Sequence, residues 1–201
     1  MKTEHGFEKE RRSVRLDLYW ARMDRGRSLV IEAAWNVVQE FLFATGLPGT
    51  RWRTAVLRLF GARIGRGVVI KPRARIKFPW RLQVGDFSWL GEALWIDNLA
   101  EVAIGNHCCI SQGAYLCTGN HDWSSERFDL ITRPISIHNG AWIGAYAVVG
   151  PGVIVGEGAV LSLGGVANHD LAPWFVYSGN PAAPIGPREL KSAGEAGHAS
   201  R

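Results

Sequence analysis

The hydrophobic pattern changes period once, near residue 62, and that change divides the chain. Upstream, Val30, Ala34, Val37 and Phe41 recur at helical spacing, with Glu32, Asn36, Gln39 and Glu40 on the opposing stripe. Ser28 is a suitable N-cap and Gly46 and Pro48 end the pattern, which predicts a helix from Ser28 to about Thr45. A second helix, over about Arg51 to Phe60, carries Trp52, Ala55, Val56 and Leu59 on one face and stops at Gly61. Amphipathic helices pack the apolar stripe on a core or lay it on a membrane surface. Residues 1–27 are polar and aperiodic and read as a loose arm, 28–61 as a helical cap, and 187–201 as a solvated tail.

From Ile64 onward the period is six. Ile64, Ile70 and Ile76 are followed in phase by Val84, Leu90, Ile96, Ile104, Ile110 and Leu116. After a break come Ile137, Ile143, Val149, Val155, Leu161 and Ala167. A small or β-branched residue often sits four places later, as at Val68, Ala74, Ser88, Cys108 and Ala147. Two-residue insertions near Leu82 and Val102 group the hexads in threes, giving coils of roughly 18–20 residues. Each hexad is then a short strand plus a bend with its aliphatic side chain inward. Stacked at ~4.8 Å, such coils form a three-sided column of parallel strands. The fold class is therefore mainly β, a parallel β-helix of about five triangular coils over 62–186, with amphipathic helices before it. One long interruption, the inserted loop 117–136, leaves the repeat. In a fold whose strands are committed to packing, such a loop is the default place for function.

Composition narrows the classes. The chain has 201 residues, 47% hydrophobic and 20% charged, which excludes wholesale disorder. No continuous apolar run reaches the ~18–20 residues of a membrane span, and Met1 to Arg15 lacks a secretory apolar segment, so a cytoplasmic location is expected. Cys108 and Cys109 are adjacent and point to opposite faces of a strand. With Cys117 they read as small buried thiols in a reducing compartment, not as a disulfide framework or a zinc site. Net charge is +5, but ten basic residues fall between Arg51 and Arg81 while no acidic residue occurs between Phe41 and Gly85. Such a block attracts phosphates, anionic lipid headgroups or acidic glycans. No zinc-finger, RNP or helix-turn-helix pattern accompanies it, so no nucleic-acid partner is expected.

These hexads, with Gly179-Asn180-Pro181-Ala182 at the end, resemble the hexapeptide-repeat acyltransferases, whose fold is a left-handed parallel β-helix. Leu57 to Ala62, Ser111 to Asp122 and Gly140-Ala141-Trp142 resemble more narrowly the colanic-acid type O-acetyltransferases of exopolysaccharide gene sets. The resemblance implies a homotrimer that uses acetyl-CoA in grooves between subunits, with direct transfer to an acceptor and no metal. It also implies that the loop histidine, His121, is the general base. Attack of a hydroxyl on a thioester at neutral pH needs a base that titrates near neutrality, and imidazole supplies one. A carboxylate on the other ring nitrogen would fix the tautomer, with Asp122, Glu126 and Asp129 as the possible orienters. By the same resemblance, acceptor contacts are expected at Asp97 and Asn98, with Asn120 and Trp123 of the loop as further candidates. Trp89 and Trp95 are further aromatic candidates for a sugar face or for burial.

For the donor, the family pattern carried over residue by residue gives backbone contacts at Ala145 and Leu163, with Gly144 and Gly164 allowing close approach. The family's Thr-Lys pair near the nucleotide is Asn168-His169 here, so Arg188 is the compensating cation expected for the CoA phosphates. Leu90 stands where the galactoside and maltose enzymes carry an asparagine, which leaves the acceptor contacts open. The β-helix carbonic anhydrases bind zinc through a close histidine pair that His107, His121, His138 and His169 do not reproduce. The expected function is acetyl transfer to a sugar hydroxyl of an exopolysaccharide or its lipid-linked precursor. The basic N-terminal region would then bring the enzyme to the inner face of the cell membrane. Two alternatives stay open: a small free acceptor (a nucleotide-sugar amine or serine), or a non-catalytic scaffold in a polysaccharide complex.

Overall fold

The computed structural model describes residues 13–20 and 23–191. Short parallel strands stack into a three-sided column, a left-handed β-helix of about six turns in which the last turn is incomplete. Face I holds the strands Arg63–Ile64, Leu82–Val84, Val102–Ile104, Ile135–Ile137 and Ile154–Val155. Face II runs from Val69–Ile70 through Trp142–Ile143 to Phe175–Ser178, and face III from Arg75–Ile76 through Tyr115–Cys117 to Val166–Ala167. Each strand pairs with the strand one coil away, as in Arg63 with Gln83 and Gln83 with Ala103. Across the interruption Ala103 pairs with Ser136, so the column closes its register over the excursion. All fifteen aliphatic positions of the repeat are buried.

Corner I/II shows how local chemistry fixes the coil. The backbone N–H groups of Arg66, Asp86 and Asn106 donate to Oδ1 of Asp86, Asn106 and Asn139 respectively, at 2.7–2.8 Å. A Cβ at Gly65, Gly85 or Gly105 would meet that Asx side chain at 2.4–2.5 Å, which explains the glycine in this column. The Arg66 amide and guanidinium both bond Asp86 and hold its carboxyl below the usual range. Burial pushes the Cys108 thiol up, whereas Cys109 and Cys117 are only half-buried, so the expectation of three buried thiols holds for Cys108 alone.

Two helices close the lower end, and side chains satisfy the first coil's backbone on all three faces. Helix α1 (Leu29–Val38) is capped by Ser28, whose Oγ accepts from Ile31, and widens into a π-type turn over Gln39–Phe43. Helix α2 spans Arg51–Leu59. Arg58 of α2 donates to the carbonyls of Ile64 and Gly65, and Thr50 exchanges hydrogen bonds with Ile70. Trp35 Nε1 donates to the Ile76 carbonyl at 2.8 Å, and Gln39 accepts from the Ile76 amide. Leu171, Tyr177 and Ala182 close the upper end.

This capping decides which side of α1 meets the column. Trp35 and Phe43 are fully buried, and Gln39 reaches the column from the stripe read as polar. Val30, Val37 and Phe41, the stripe for which a core and a membrane surface both stood open, are 78%, 58% and 79% exposed. Periodicity shows that a stripe exists; which side meets the column is decided by the hydrogen bonds that Trp35 and Gln39 make to its open backbone edge.

Candidate active site

The excursion is an antiparallel hairpin, narrower than the 117–136 loop read from sequence. Cys117 ends a face III strand, Thr118 is buried, and Ile135 already lies in the next face I strand. Strands Gly119–His121 and Leu130–Thr132 pair with His121 opposite Leu130. Thr118 anchors the base: its Oγ1 donates to the Asp97 carbonyl and accepts from the Ala100 amide. The tip is ordered by its own acids. Asp122 accepts from the Ser124 amide and hydroxyl, the largest effect being the hydroxyl, and its carboxyl is held below the ordinary range. Asp129 accepts from the Ser125 hydroxyl at 2.8 Å.

His121 is half-buried, and its ring stacks on Phe128 at a centroid distance of 4.3 Å and an interplanar angle of 6°. Its Nδ1 lies 2.9 Å from the Phe128 carbonyl oxygen. A carbonyl only accepts, so Nδ1 carries the proton, and in the neutral imidazole Nε2 is the nitrogen with the lone pair. The ring is thus oriented by a backbone carbonyl, which corrects the expectation that Asp122, Glu126 or Asp129 does so. Asp122 and Asp129 are spent on shaping the tip, and Glu126 engages through its backbone carbonyl, which accepts from the Arg15 amide at 2.8 Å. Phe128 sits at φ 51°, a left-handed conformation that a bulky residue adopts only when its surroundings impose it. No sequence signal marks it.

The Arg15 contact belongs to a second finding. Residues 13–20, expected to be part of a loose arm, lie along the hairpin through a short helical turn at Leu16–Leu18. They deliver the Tyr19 ring to 5.5 Å from the His121 ring. Residues 23–27 are also attached, through Trp80 Nε1 to the Arg25 carbonyl and Arg81 to Asp24. Replacing Tyr19 by Ala is expected to lower kcat/KM by about tenfold, the equivalent of one aromatic contact. Steady-state kinetics with the native acceptor check this, and an unchanged value would show that the contact plays no part in turnover.

Of the residues expected on the acceptor, Asn120 and Trp123 are exposed on the hairpin. The Asn120 carbonyl oxygen accepts from the His121 amide, which leaves its NH2 outward. Asp97 lies at the hairpin base, where Tyr115 Oη donates to Oδ2 at 3.3 Å. Lys77 Nζ is 3.3 Å from the other oxygen but off the axis of a hydrogen bond, so that pair is ionic only. Burial, more than the neighbouring Cys117 and Asp97, pushes the Tyr115 hydroxyl up. Trp95 stacks on Tyr115 at 4.7 Å. Asn98 is a correction. It is fully buried, and its amide brackets Phe78, donating to the carbonyl at 2.7 Å and accepting from the N–H at 2.9 Å. It cannot reach an acceptor. Asn98→Leu should cost about 3 kcal/mol by stranding both Phe78 groups, measured as a lowered denaturant midpoint.

The donor residues divide by corner. Ala145 and Leu163 stack at corner II/III, where the Gly164 amide donates to the Ala145 carbonyl. Among the described residues, the amides of Gln112, Ala145 and Leu163 find no protein acceptor, unlike their counterparts at corner I/II. Gln112 was not singled out in the sequence. Gly164 has φ +65° and open space where a Cβ would lie, so a ligand can approach it. Gly144 is different: a Cβ there would meet Leu163 N at 2.7 Å, so the adjacent coil alone requires the glycine. Asn168 is exposed at corner III/I, and its Oδ1 faces His169 Nδ1 at 2.9 Å. Arg188 is a further correction. Its NH1 donates to the Gly140 and Gly158 carbonyls at corner I/II, locking the C-terminal strand to a corner that holds none of the other donor residues.

A groove of about 870 Å³ runs along face I past Ala103, Ser136 and His138 and contains no hairpin residue. His121 and the corner II/III amides stand at different corners of one column, so a single copy does not bring them together.

The hexad-built parallel β-helix and the comparisons with known proteins agree: the chain belongs to the hexapeptide-repeat acyltransferases, as an acetyltransferase. The bacterial transferase hexapeptide (six repeats) model matches residues 134–162. The chain is 40% identical over 162 residues to the protein of Escherichia coli (strain K12) named as a colanic acid biosynthesis acetyltransferase, WcaF. That match covers 80% of this chain and 89% of the relative. A hexapeptide-repeat acetyltransferase of Vibrio cholerae O1 biovar eltor, VCA0836, solved with acetyl coenzyme A, superposes with a TM-score of 0.73. It is 21% identical and covers 80% of this chain and 88% of its own. A galactoside acetyltransferase solved with coenzyme A gives a TM-score of 0.71 at 21% identity, covering 80% and 82%. Both share the fold.

Proposed function

We propose that the chain transfers acetyl from acetyl-CoA to a sugar hydroxyl of an exopolysaccharide precursor, lipid-linked and met at the inner face of the cell membrane, with His121 as the general base. The single observation that carries this is the 2.9 Å approach of His121 Nδ1 to the Phe128 carbonyl: it commits Nδ1 as donor and leaves Nε2 of the neutral ring without a partner among the described residues. The relative named for colanic acid biosynthesis supports the acceptor class.

Bound acetyl-CoA supplies an activated acetyl thioester. As the acceptor oxygen bonds to the acetyl carbon, Nε2 takes the hydroxyl proton, and the imidazolium returns it to the departing thiolate sulfur. The Phe128 carbonyl holds the Nδ1 proton throughout and stabilises the cation that forms. Asn120, Trp123 and Tyr19 border the acceptor side, with Asp97 at the base. The amides of Gln112, Ala145 and Leu163, beside the open Gly164, are suited to the carbonyl groups of a pantetheine arm.

Because imidazole and donor corner lie apart in one copy, the working form is a homotrimer in which neighbouring copies complete each site. An apolar ladder on face II supports this: Val69, Trp89, Cys109, Trp142 and Val176 stand in register with Val160, which the chain itself buries, and Trp89 and Trp142 are about half exposed. Coenzyme A thiol release with a panel of lipid-linked sugars, free sugars, nucleotide-linked amino sugars and serine tests the reading. Turnover confined to the amine or serine acceptors would replace it.

A further inference from the structure

The apolar stripe of α1 that capping turns outward lies on the base of the column, and the basic block surrounds it. Val30, Ala34, Val37 and Phe41 form one line along the helix, and nothing among the described residues covers it. Leu59 of α2, 81% exposed, extends the line across a groove of about 280 Å³ that Val30, Ala34 and Arg27 also line. At the other end Leu47 is exposed, near where the Arg73 amide bonds the Thr45 carbonyl.

The charge is arranged about the same end. The ten basic residues from Arg51 to Arg81 belong to α2 and the first coil, the layer directly above α1, and that stretch contains no acidic residue. Arg51, Arg58, Arg63, Arg66, Lys71, Arg73, Arg75 and Lys77 are all exposed. Glu32 of α1 faces Arg25 at 2.6 Å and Glu40 of the π-type turn faces Arg75 at 3.8 Å, while Arg66, Arg73 and Lys77 face the second-coil acids Asp86, Glu92 and Asp97, which leaves Arg51, Arg58, Arg63 and Lys71 without a carboxylate partner among the described residues.

We infer that the base of the column is a docking surface for an anionic lipid bilayer, with the α1 stripe and Leu59 entering the headgroup boundary and the basic layer meeting lipid phosphates. A surface helix with an apolar stripe and a cationic surround is the pattern that binds an interface. A second copy is the poorer occupant. Copies grouped about an axis parallel to the column point their bases the same way, which makes the stripes coplanar instead of apposed. The inference rests on the reading above that the enzyme works at a membrane, and it names the surface and the lipid class.

The test is co-sedimentation of the full chain with vesicles of phosphatidylcholine alone and of phosphatidylcholine with phosphatidylglycerol, at low and high salt. The expected result is binding to the anionic vesicles only. Val37→Asp and Phe41→Asp should weaken it at least tenfold, and salt should weaken it as well. Both positions are exposed, so thermal unfolding and acetyl transfer to a soluble acceptor should match wild type. Absence of wild-type binding to anionic vesicles overturns the inference without reference to any variant. So does binding that the Asp variants leave intact, or an altered oligomeric state of those variants in sedimentation velocity. Transfer to the soluble acceptor, followed in the same samples, reports separately on the enzymatic reading.

Discussion

His121→Asn should lower kcat by about 10²–10⁴-fold, the usual contribution of a positioned general base, while the column and the assembly stay intact. The side chain of asparagine places a polar atom near the position of Nδ1, so the partner of the Phe128 carbonyl can be kept while nothing stands at Nε2. The loss then measures proton transfer and not collapse of the hairpin. Glu126→Gln and Asp129→Asn serve as contrasts. Neither carboxylate touches the ring, so each should stay within about twofold of wild type, the range of an ordinary surface substitution. Steady-state thiol release checks all three. Turnover of His121→Asn at the wild-type rate would remove the histidine from the mechanism.

Trp142→Glu should separate the copies and abolish transfer together. Trp142 sits midway along the face II ladder, between Cys109 and Val160, and its indole N–H is held by Ser111 at 2.9 Å. A carboxylate there would be buried unpaired in an apolar contact, and central tryptophans at interfaces are worth about 2–4 kcal/mol or more. Sedimentation velocity should find monomer, and activity should drop at least about 100-fold, because imidazole and donor amides then never meet. Mixing gives a sharper form of the same prediction. His121→Asn and Gly164→Glu chains are each inactive alone, the latter because a charged side chain fills the open approach at corner II/III. Unfolded and reassembled together in equal amounts, they should recover about one quarter of the sites, those that pair an intact histidine with an intact neighbouring corner. No recovery, or a fully active monomeric Trp142→Glu, would show that one chain holds a whole site.

Much of the architecture was legible because the repeat is local. A hexad specifies its own strand and bend, and neighbouring hexads need only phase, so fifteen in-phase aliphatic positions define the column and its interruption. His121 could be singled out for a related reason: a polar cluster that departs from a packing repeat stands out against it. Its orienter could not. The atom at Nδ1 is a carbonyl, which every residue possesses, and its placement depends on the left-handed backbone of Phe128. Asn98 and Arg188 mislead in the opposite direction. Polar residues suggest ligands, yet burial commits the amide of Asn98 to Phe78 and the guanidinium of Arg188 to two backbone carbonyls.

By itself the sequence determined the three-sided column, the single excursion with its histidine and the basic first coil, since periodicity, interruption and charge are properties of neighbours along the chain. Only the tertiary structure decided which side of α1 is wet, that residues 13–20 reach the imidazole, and that donor amides and base stand at separate corners. Those outcomes depend on which unpaired backbone groups at the column's open end and corners find a partner, and such partners come from positions tens of residues away.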